Sequence, residues 1–312
     1  MMIILYLFAY FSILTFCGLV IKRILKYKNM PVHLRWELYP VAHEPFRNKY
    51  GGSYYEEVEW WNKKNKKDHL AEFWVMFEEI FLLKGVYVHN KKLWLFSFPF
   101  HLGLYLISAT AIIITCSAVL DLSSIISILN AQNIFGKIIL YLTKVTAYSG
   151  LALTFIGGIG LLIKRLSEKK YKFYNTPLDI INLLFILILT ISISATLIFS
   201  NSSFTLSEEF VKNLFSFNFA AISNKLFIIH IVLISIFLLY FPLTKMMHLF
   251  AKYFTYHNVR WEDEPNYKGG KLERRIKEAL NFDIGWSAPH VRTGKTWAEA
   301  ATTLPPEMKN VE

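Results

Sequence analysis

A chain of 312 residues that is 54% hydrophobic and 16% aromatic, with mean hydropathy +0.34, carries more apolar surface than one soluble core buries, which excludes an ordinary soluble enzyme. Its net charge of +11 lies in clusters beside apolar runs, where membrane topology and anionic lipid account for it, and no nucleic-acid partner is expected. The two cysteines, Cys17 and Cys116, form no Cys-x-x-Cys or Cys-x-x-Cys-His pattern, which excludes an iron–sulfur cluster of this chain's own and covalently attached haem.

In chain order, the apolar runs predict five spanning helices over residues 2–20, 93–120, 134–163, 178–199 and 225–254, each long enough to cross a bilayer core of about 30 Å. The first lacks a basic leader and a small-residue cleavage site, so it reads as a retained anchor. Cys17 and Cys116 fall within runs and are expected as buried packing thiols. Residues 22–92 form a polar insertion with a lysine-rich stretch at 63–67 and an acidic-aromatic stretch at 54–61. Within it, residues 70–83 repeat apolar side chains at helical spacing but carry Glu72, Glu78 and Glu79, which predicts an interfacial or partner-facing amphipathic helix. Thr176-Pro177-Leu178-Asp179 opens the fourth span with a cap residue, a proline at the first helical position and an acid at the third, so Asp179 reads as a structural cap. The tail, residues 255–312, holds a helix over 271–280 after Gly269-Gly270.

Lys22, Arg23, Lys26 and Lys28 follow the first span, and Lys164, Arg165, Lys169, Lys170 and Lys172 join the third to the fourth. Residues 121–133 hold no Lys or Arg, and residues 201–224 hold only Lys212. The positive-inside rule therefore puts the N-terminus outside and the C-terminus in the cytoplasm. The expected architecture is an all-α integral membrane protein in the cytoplasmic membrane. It comprises a spanning helix (1–21), a cytoplasmic insertion (22–92), a four-helix transmembrane bundle (93–254), read below as haem-binding from its histidines, and a cytoplasmic partner-docking tail (255–312), five transmembrane helices in all.

The histidines carry the chemistry. His101, His230 and His248 lie within predicted spans, where ionisable groups are costly and point to function. On one straight helix, the eighteen residues from His230 to His248 are five whole turns, which puts both imidazoles on one stripe about 27 Å apart. His101, early in the second span, and His248, late in the fifth, are expected at equal depth near the inner surface. Two neutral imidazoles on facing helices ligate one haem iron, and bis-histidine iron transfers electrons because no coordination position is open to substrate. Three unrelated bundle histidines bonded to backbone carbonyls are the plainer alternative. His230, near the outer surface, has no histidine partner: Ala111 stands at the matching depth of the second span, so His230 holds a haem with another or no trans ligand, or bonds a quinone carbonyl. His89 and His257 fall at or beyond the inner surface, as interface residues or as a second inner haem pair. Lys144, in the outer half of the third span, either donates to a quinone oxygen or haem propionate or snorkels to the interface.

Phe100-His101-Leu102-Gly103, Gly157-Gly158 followed by Lys164-Arg165, and the His230 to His248 spacing around Phe241-Pro242 resemble the cytochrome b (gamma) subunit of respiratory nitrate reductase. In that family four histidines on two helices hold two haems b; the resemblance implies ligand roles for His101, His248 and His230 and breaks at Ala111. A closer similarity is to the membrane cytochrome b subunits of heterodisulfide-reductase-like complexes of sulfate and sulfite respiration. It rests on Tyr50-Gly51-Gly52-Ser53-Tyr54-Tyr55-Glu56-Glu57, His89-Asn90-Lys91-Lys92-Leu93-Trp94 and Phe96-Ser97-Phe98-Pro99-Phe100-His101-Leu102-Gly103. Tyr253-Phe254-Thr255-Tyr256-His257-Asn258-Val259-Arg260-Trp261, Trp286-Ser287-Ala288-Pro289-His290 and Lys295-Thr296-Trp297 extend it over most of the chain from residue 40 on.

The resemblance implies electron transfer between the quinone or menaquinone pool and a cytoplasmic iron–sulfur, heterodisulfide-reductase-like subunit, beside other membrane and electron-carrier subunits. One haem b is expected at His101 and His248, with a second open. No chemistry beyond quinol/quinone redox is expected of the chain alone. The rival expectation is a haem-poor membrane anchor or proton-relay subunit whose quinone site belongs to another chain.

Overall fold

The computed structural model describes residues 2–31, 56–63, 68–123, 134–168, 175–199, 203–260, 268–288, 291 and 293–303. Residues 50–55, 64–67 and 169–174, with His290, lie outside the described residues, as do those from 124 to 133. The described chain is helical, with two isolated β-bridges in the tail, Asp283 with Thr296 and Ala288 with Val291. In order the helices are α1 (Met2–Lys28), a 3-10 turn (Trp60–Asn62), α2 (His69–Phe81), α3 (Lys84–His89), α4 (Lys91–Leu122), α5 (Ile134–Ser167) and α6 (Pro177–Phe199). There follow α7 (Ser203–Phe215), α8 (Lys225–Tyr240), 3-10 turns at Phe241–Leu243 and Lys245–Met247, α9 (His248–Arg260), α10 (Lys271–Leu280) and α11 (Trp297–Thr302).

Among the described residues, five helical stretches are long and apolar enough to cross a membrane: α1, α4, α5, α6, and Lys225–Leu243. Their outward faces keep large apolar side chains exposed, Ile4, Leu14, Ile112, Ile156 and Ile198 among them, a surface suited to hydrocarbon. Cys17 and Cys116 are exposed as well, which corrects their expected burial. An apolar run long enough to span does not reveal which of its faces meets a neighbouring helix.

The chain divides into two compact units, Met1–Ile21 with Phe77–Met247, and Lys22–Met76 with His248–Glu312. In the first unit, α4 and α5 form the largest helix contact. It is a backbone seam. A Cβ built on Gly157 would stand 2.5 Å from Phe100 N and 2.8 Å from Phe100 Cα, and one on Gly103 would stand 2.5 Å from Thr154 N and 2.7 Å from Gly150 O. Helices lacking a strong hydrophobic drive for association in lipid use small residues in this way, because close backbones gain the most dispersion contact. Gly158 admits Leu187 of α6, and Phe100, Leu161, Leu183 and Leu187 form one buried cluster joining α4, α5 and α6.

Asp179 caps α6 as expected: its Oδ2 accepts from Thr176 N (2.9 Å) and from Thr176 Oγ1 (2.8 Å). It also takes Lys245 Nζ at 3.2 Å, and Arg165 of α5 donates to its carbonyl oxygen at 2.8 Å. Tyr240 donates to Oδ1 of buried Asn182 at 2.7 Å. One end of the bundle is thereby stitched across α5, α6 and the end of α8.

The fifth predicted helix, 225–254, is not continuous. Pro242 has no N–H and its ring obstructs the preceding turn, so α8 ends at Tyr240, and Thr244 is extended at φ −111°, ψ 177°. The apolar stretch stops at Leu243, and His248 begins a separate helix. The amphipathic segment predicted over 70–83 is α2; Leu83 takes a positive φ of 52° and starts α3. The end of α2 is fastened to α4: Tyr105 donates to Ile80 O (2.9 Å) and Trp94 Nε1 to Leu82 O (2.8 Å).

In the second unit, α10 forms over 271–280 as predicted, with Gly270 as N-cap and Gly269 at φ 78°. Arg275 donates to Met30 O at 3.3 Å, Tyr27 packs on Phe254, and a Thr296/Glu299 capping box opens α11.

Gly157→Ala should lower stability by about 1–3 kcal/mol, since backbone and not a movable side chain occupies the space. Gly18→Ala, with nothing within 4 Å, serves as the neutral control, both read as thermal midpoints in detergent. Asp179→Ala should cost about 1–2 kcal/mol through the lost cap. Lys245→Met should cost less than about 1 kcal/mol, because that ammonium is 62% exposed.

Candidate functional site

His101 stands on α4 two residues after Pro99 and beside Phe100, whose ring meets the imidazole edge-on at 5.5 Å between centroids. Phe100 is fixed by the glycine seam on one side and by Leu161, Leu183 and Leu187 on the other, so the backbone that carries His101 is held rigidly. His101 Nδ1 lies 2.7 Å from Ser97 O, one turn back, and 3.4 Å from Ser97 Oγ. A carbonyl oxygen only accepts, so Nδ1 carries a hydrogen, and a neutral ring would then have its lone pair on Nε2. This bond satisfies a plain bundle histidine. It is also the bond that orients a metal-ligating imidazole and raises its basicity. The donor chemistry thus fits a residue that would ligate haem iron.

His230 of α8 forms a second, half-buried pair. Its Nδ1 is 2.8 Å from Ser192 Oγ of α6, and Ser192 gives its hydroxyl proton to Leu189 O at 2.8 Å. A serine has one such proton, so the imidazole is the donor to Ser192 and again keeps its lone pair on Nε2. Ser192 lies thirteen residues beyond Asp179, about 20 Å along α6. His230 therefore sits toward the far end of the bundle from the Asp179–Lys245 contact. Ala111, the position lacking the outer ligand, is exposed on α4.

His248 is exposed and is the first residue of α9. The extended residue at Thr244 breaks the helical phase, so His230 and His248 do not share the stripe expected of one straight helix, and His248 lies beyond the apolar stretch instead of six residues inside it. His101 belongs to the first compact unit and His248 to the second. His248 follows three residues after Lys245, which pairs with Asp179, and Asp179 is one turn from Leu183 in the cluster around Phe100. His89 is exposed at the end of α3, and Lys144 is exposed on α5. His257 lies in α9, with its side chain outside the described residues. Among the described residues no three or more His, Cys, Asp or Glu side chains gather as a metal site. Two-ligand haem ligation does not require such a group.

Two features escaped the sequence reading. One is the Lys245–Asp179 contact, which joins residues 66 apart and has no local signature. The other is α7, in a stretch with no expected structure. Its alternation of Phe204, Leu206, Phe210, Val211 and Leu214 with polar residues was the available signal.

No family model matches the chain, and neither a curated protein nor a solved structure gives a significant match.

Ser192→Ala should leave the His230 N–H without its acceptor and cost about 1–3 kcal/mol, read as a lower melting point in detergent. Ser192→Thr, which keeps the hydroxyl, should stay near the native value.

Proposed function

We propose that this protein is a membrane electron conduit, a cytochrome b subunit of the heterodisulfide-reductase-associated type, between the quinone or menaquinone pool and a cytoplasmic iron–sulfur partner. The observation that carries this reading is the His101 imidazole on a membrane-length helix, its Nδ1 bonded to Ser97 O, the hydrogen bond that orients a metal-ligating histidine. His101 and His248 would hold one haem b. Bound there, haem would supply a one-electron carrier with no open coordination position.

The residues of this chain do the remaining work. Ser97 O keeps His101 in the ligating tautomer, and the α4–α5 seam prevents its backbone from shifting. The Asp179–Lys245 contact anchors the chain just before His248. His230, held by Ser192, is the group we assign to a quinone carbonyl: a half-buried imidazole pinned at Nδ1 leaves Nε2 as the nitrogen for a partner, and no second histidine lies on α4 to complete a haem there. Lys144, exposed on α5, is left to the interface. The lysine-rich connections, under the positive-inside rule, support a cytoplasmic C-terminal segment facing the partner in a protein of the cytoplasmic membrane.

The purified chain should display a reduced-minus-oxidised b-type spectrum. His101→Ala and His248→Ala should each abolish it, while His89→Ala should retain it. A spectrum that survives in both ligand variants overturns the assignment. A negative pyridine haemochrome assay of the native chain would replace it with the haem-poor anchor.

A further inference from the structure

At the end of the bundle that holds His230, α7 lies against all five of the membrane-length stretches found among the described residues. Phe204 packs with Ile114 of α4 and Ala147 of α5, with Leu197 of α6 and Val211 alongside. Phe210 packs with Tyr6 of α1 and with Phe227 and Ile231 of α8. Tyr10 of α1 donates to Leu214 O, and Asn213 Nδ2 donates to Tyr6 Oη at 3.3 Å. Two polar contacts then join α7 to α4, each one turn from the other on both helices. Ser117 pairs with Glu208, with Oγ to Oε1 at 2.5 Å, and Asp121 pairs with Lys212.

The two contacts differ in kind. Asp121 and Lys212 are partly exposed and satisfy each other as ions. Glu208 is only 3% exposed and Ser117 is fully buried, so among the described residues the carboxyl's hydrogen-bond partner is one hydroxyl, with the Asp121–Lys212 pair one turn away. A carboxylate there loses its water and gains a single hydrogen bond, whereas a neutral carboxyl bonds the same hydroxyl at little cost. We propose that Glu208 is a proton-binding site controlling the seating of α7: with the proton bound the helix stays docked on α4, and with it lost the helix lifts from the end of the bundle.

The electrostatics agree in sign. Burial pushes the Glu208 carboxyl above the ordinary glutamate range; the Ser117 hydrogen bond opposes this, Asp121 raises it further, Lys212 opposes, and Glu209 raises. These are the charged groups facing it from α4 and from its own helix. Tyr6 and Tyr10 are the titratable groups that α1 presents to α7, Tyr148 of α5 meets Phe204 edge-on, and the packing contacts from α6 and α8 among the described residues are apolar. Lys212 is held above the ordinary lysine value, chiefly by its bond to Asp121, and stays charged throughout. Because docking raises the Glu208 value above that of the undocked helix, the stabilisation is fully present below about pH 4.3, the free-glutamate value, and is lost as pH rises through the docked value. The inference stands whether or not the chain carries haem.

Amide hydrogen exchange of residues 203–215 in the full chain in lipid nanodiscs, corrected for intrinsic exchange, tests it. In the native protein, opening should increase by up to about tenfold per pH unit above about pH 4.3, then level off. Glu208→Gln, which bonds Ser117 without a charge, should be the best protected and independent of pH. Lys212→Met should open more at every pH yet keep the slope, showing that the slope belongs to Glu208. A flat native profile, or an undiminished slope in Glu208→Gln, overturns the proposal. So does an infrared difference between native and Glu208→Gln protein that lacks the carboxylic-acid C=O band at the low end of the range.

Discussion

The seam between α4 and α5 is the constraint on which the bundle depends. Gly103, Gly150 and Gly157 let two backbones come within ordinary contact of each other, and a single added methyl at Gly157 would meet Phe100 N at 2.5 Å. Such closeness is purchased with polar exposure to the partner helix: Thr154 Oγ1 is buried beside Gly103 with no hydrogen-bond partner among the described residues. In hydrocarbon, where burying apolar area gains little because lipid is itself apolar, dispersion across a tight seam is the main attraction left to two helices. Phe100 is locked by that seam, and His101 follows it. The rigidity of the candidate ligand is therefore a consequence of glycines on another helix.

The two ends of the bundle are closed by different physics. At the His101 end, Asp179 caps its own helix and gathers Lys245 and Arg165, so one carboxylate and its backbone carbonyl tie three segments together just before the chain turns to His248. At the other end, α7 is seated mostly by apolar packing, with a buried carboxyl among the contacts. The first closure relies on charges that satisfy one another near the surface, and the second on a group that is comfortable only when neutral. The His230–Ser192 pair lies toward the second end, so the quinone reading and the seating of α7 concern the same region through different groups.

Much was legible in the sequence. The apolar runs announced the second, third and fourth spanning helices to within four residues and the start of the first, which runs eight residues past its expected end, since hydrophobic length is a one-dimensional property. Thr176-Pro177-Leu178-Asp179 announced its cap, and Gly269-Gly270 the start of α10, because capping is local chemistry within four residues. Periodicity alone failed at the fifth span. Eighteen residues read as five turns only while the helix is straight, and Pro242 ended it. The Phe241-Pro242 pair was visible in the sequence, yet whether a proline kinks a helix or ends it depends on what the neighbouring segments offer the freed carbonyls. The cysteines failed for a related reason: membership of a span does not tell lipid-facing from bundle-facing positions.

By itself the sequence determined that this chain is helical, that it has five membrane-length apolar segments, that its basic residues gather at alternate connections, and that three histidines fall in or beside those segments. These follow from composition, length and nearest-neighbour chemistry, which need no partner from elsewhere in the chain. Only the tertiary structure decided which nitrogen of His101 and of His230 carries the proton, which carboxylate meets Lys245, and that Glu208 is buried against Ser117. Each of these joins atoms on different turns or helices. Hydrogen bonds and desolvation act over a few ångströms of space, whatever the distance along the chain.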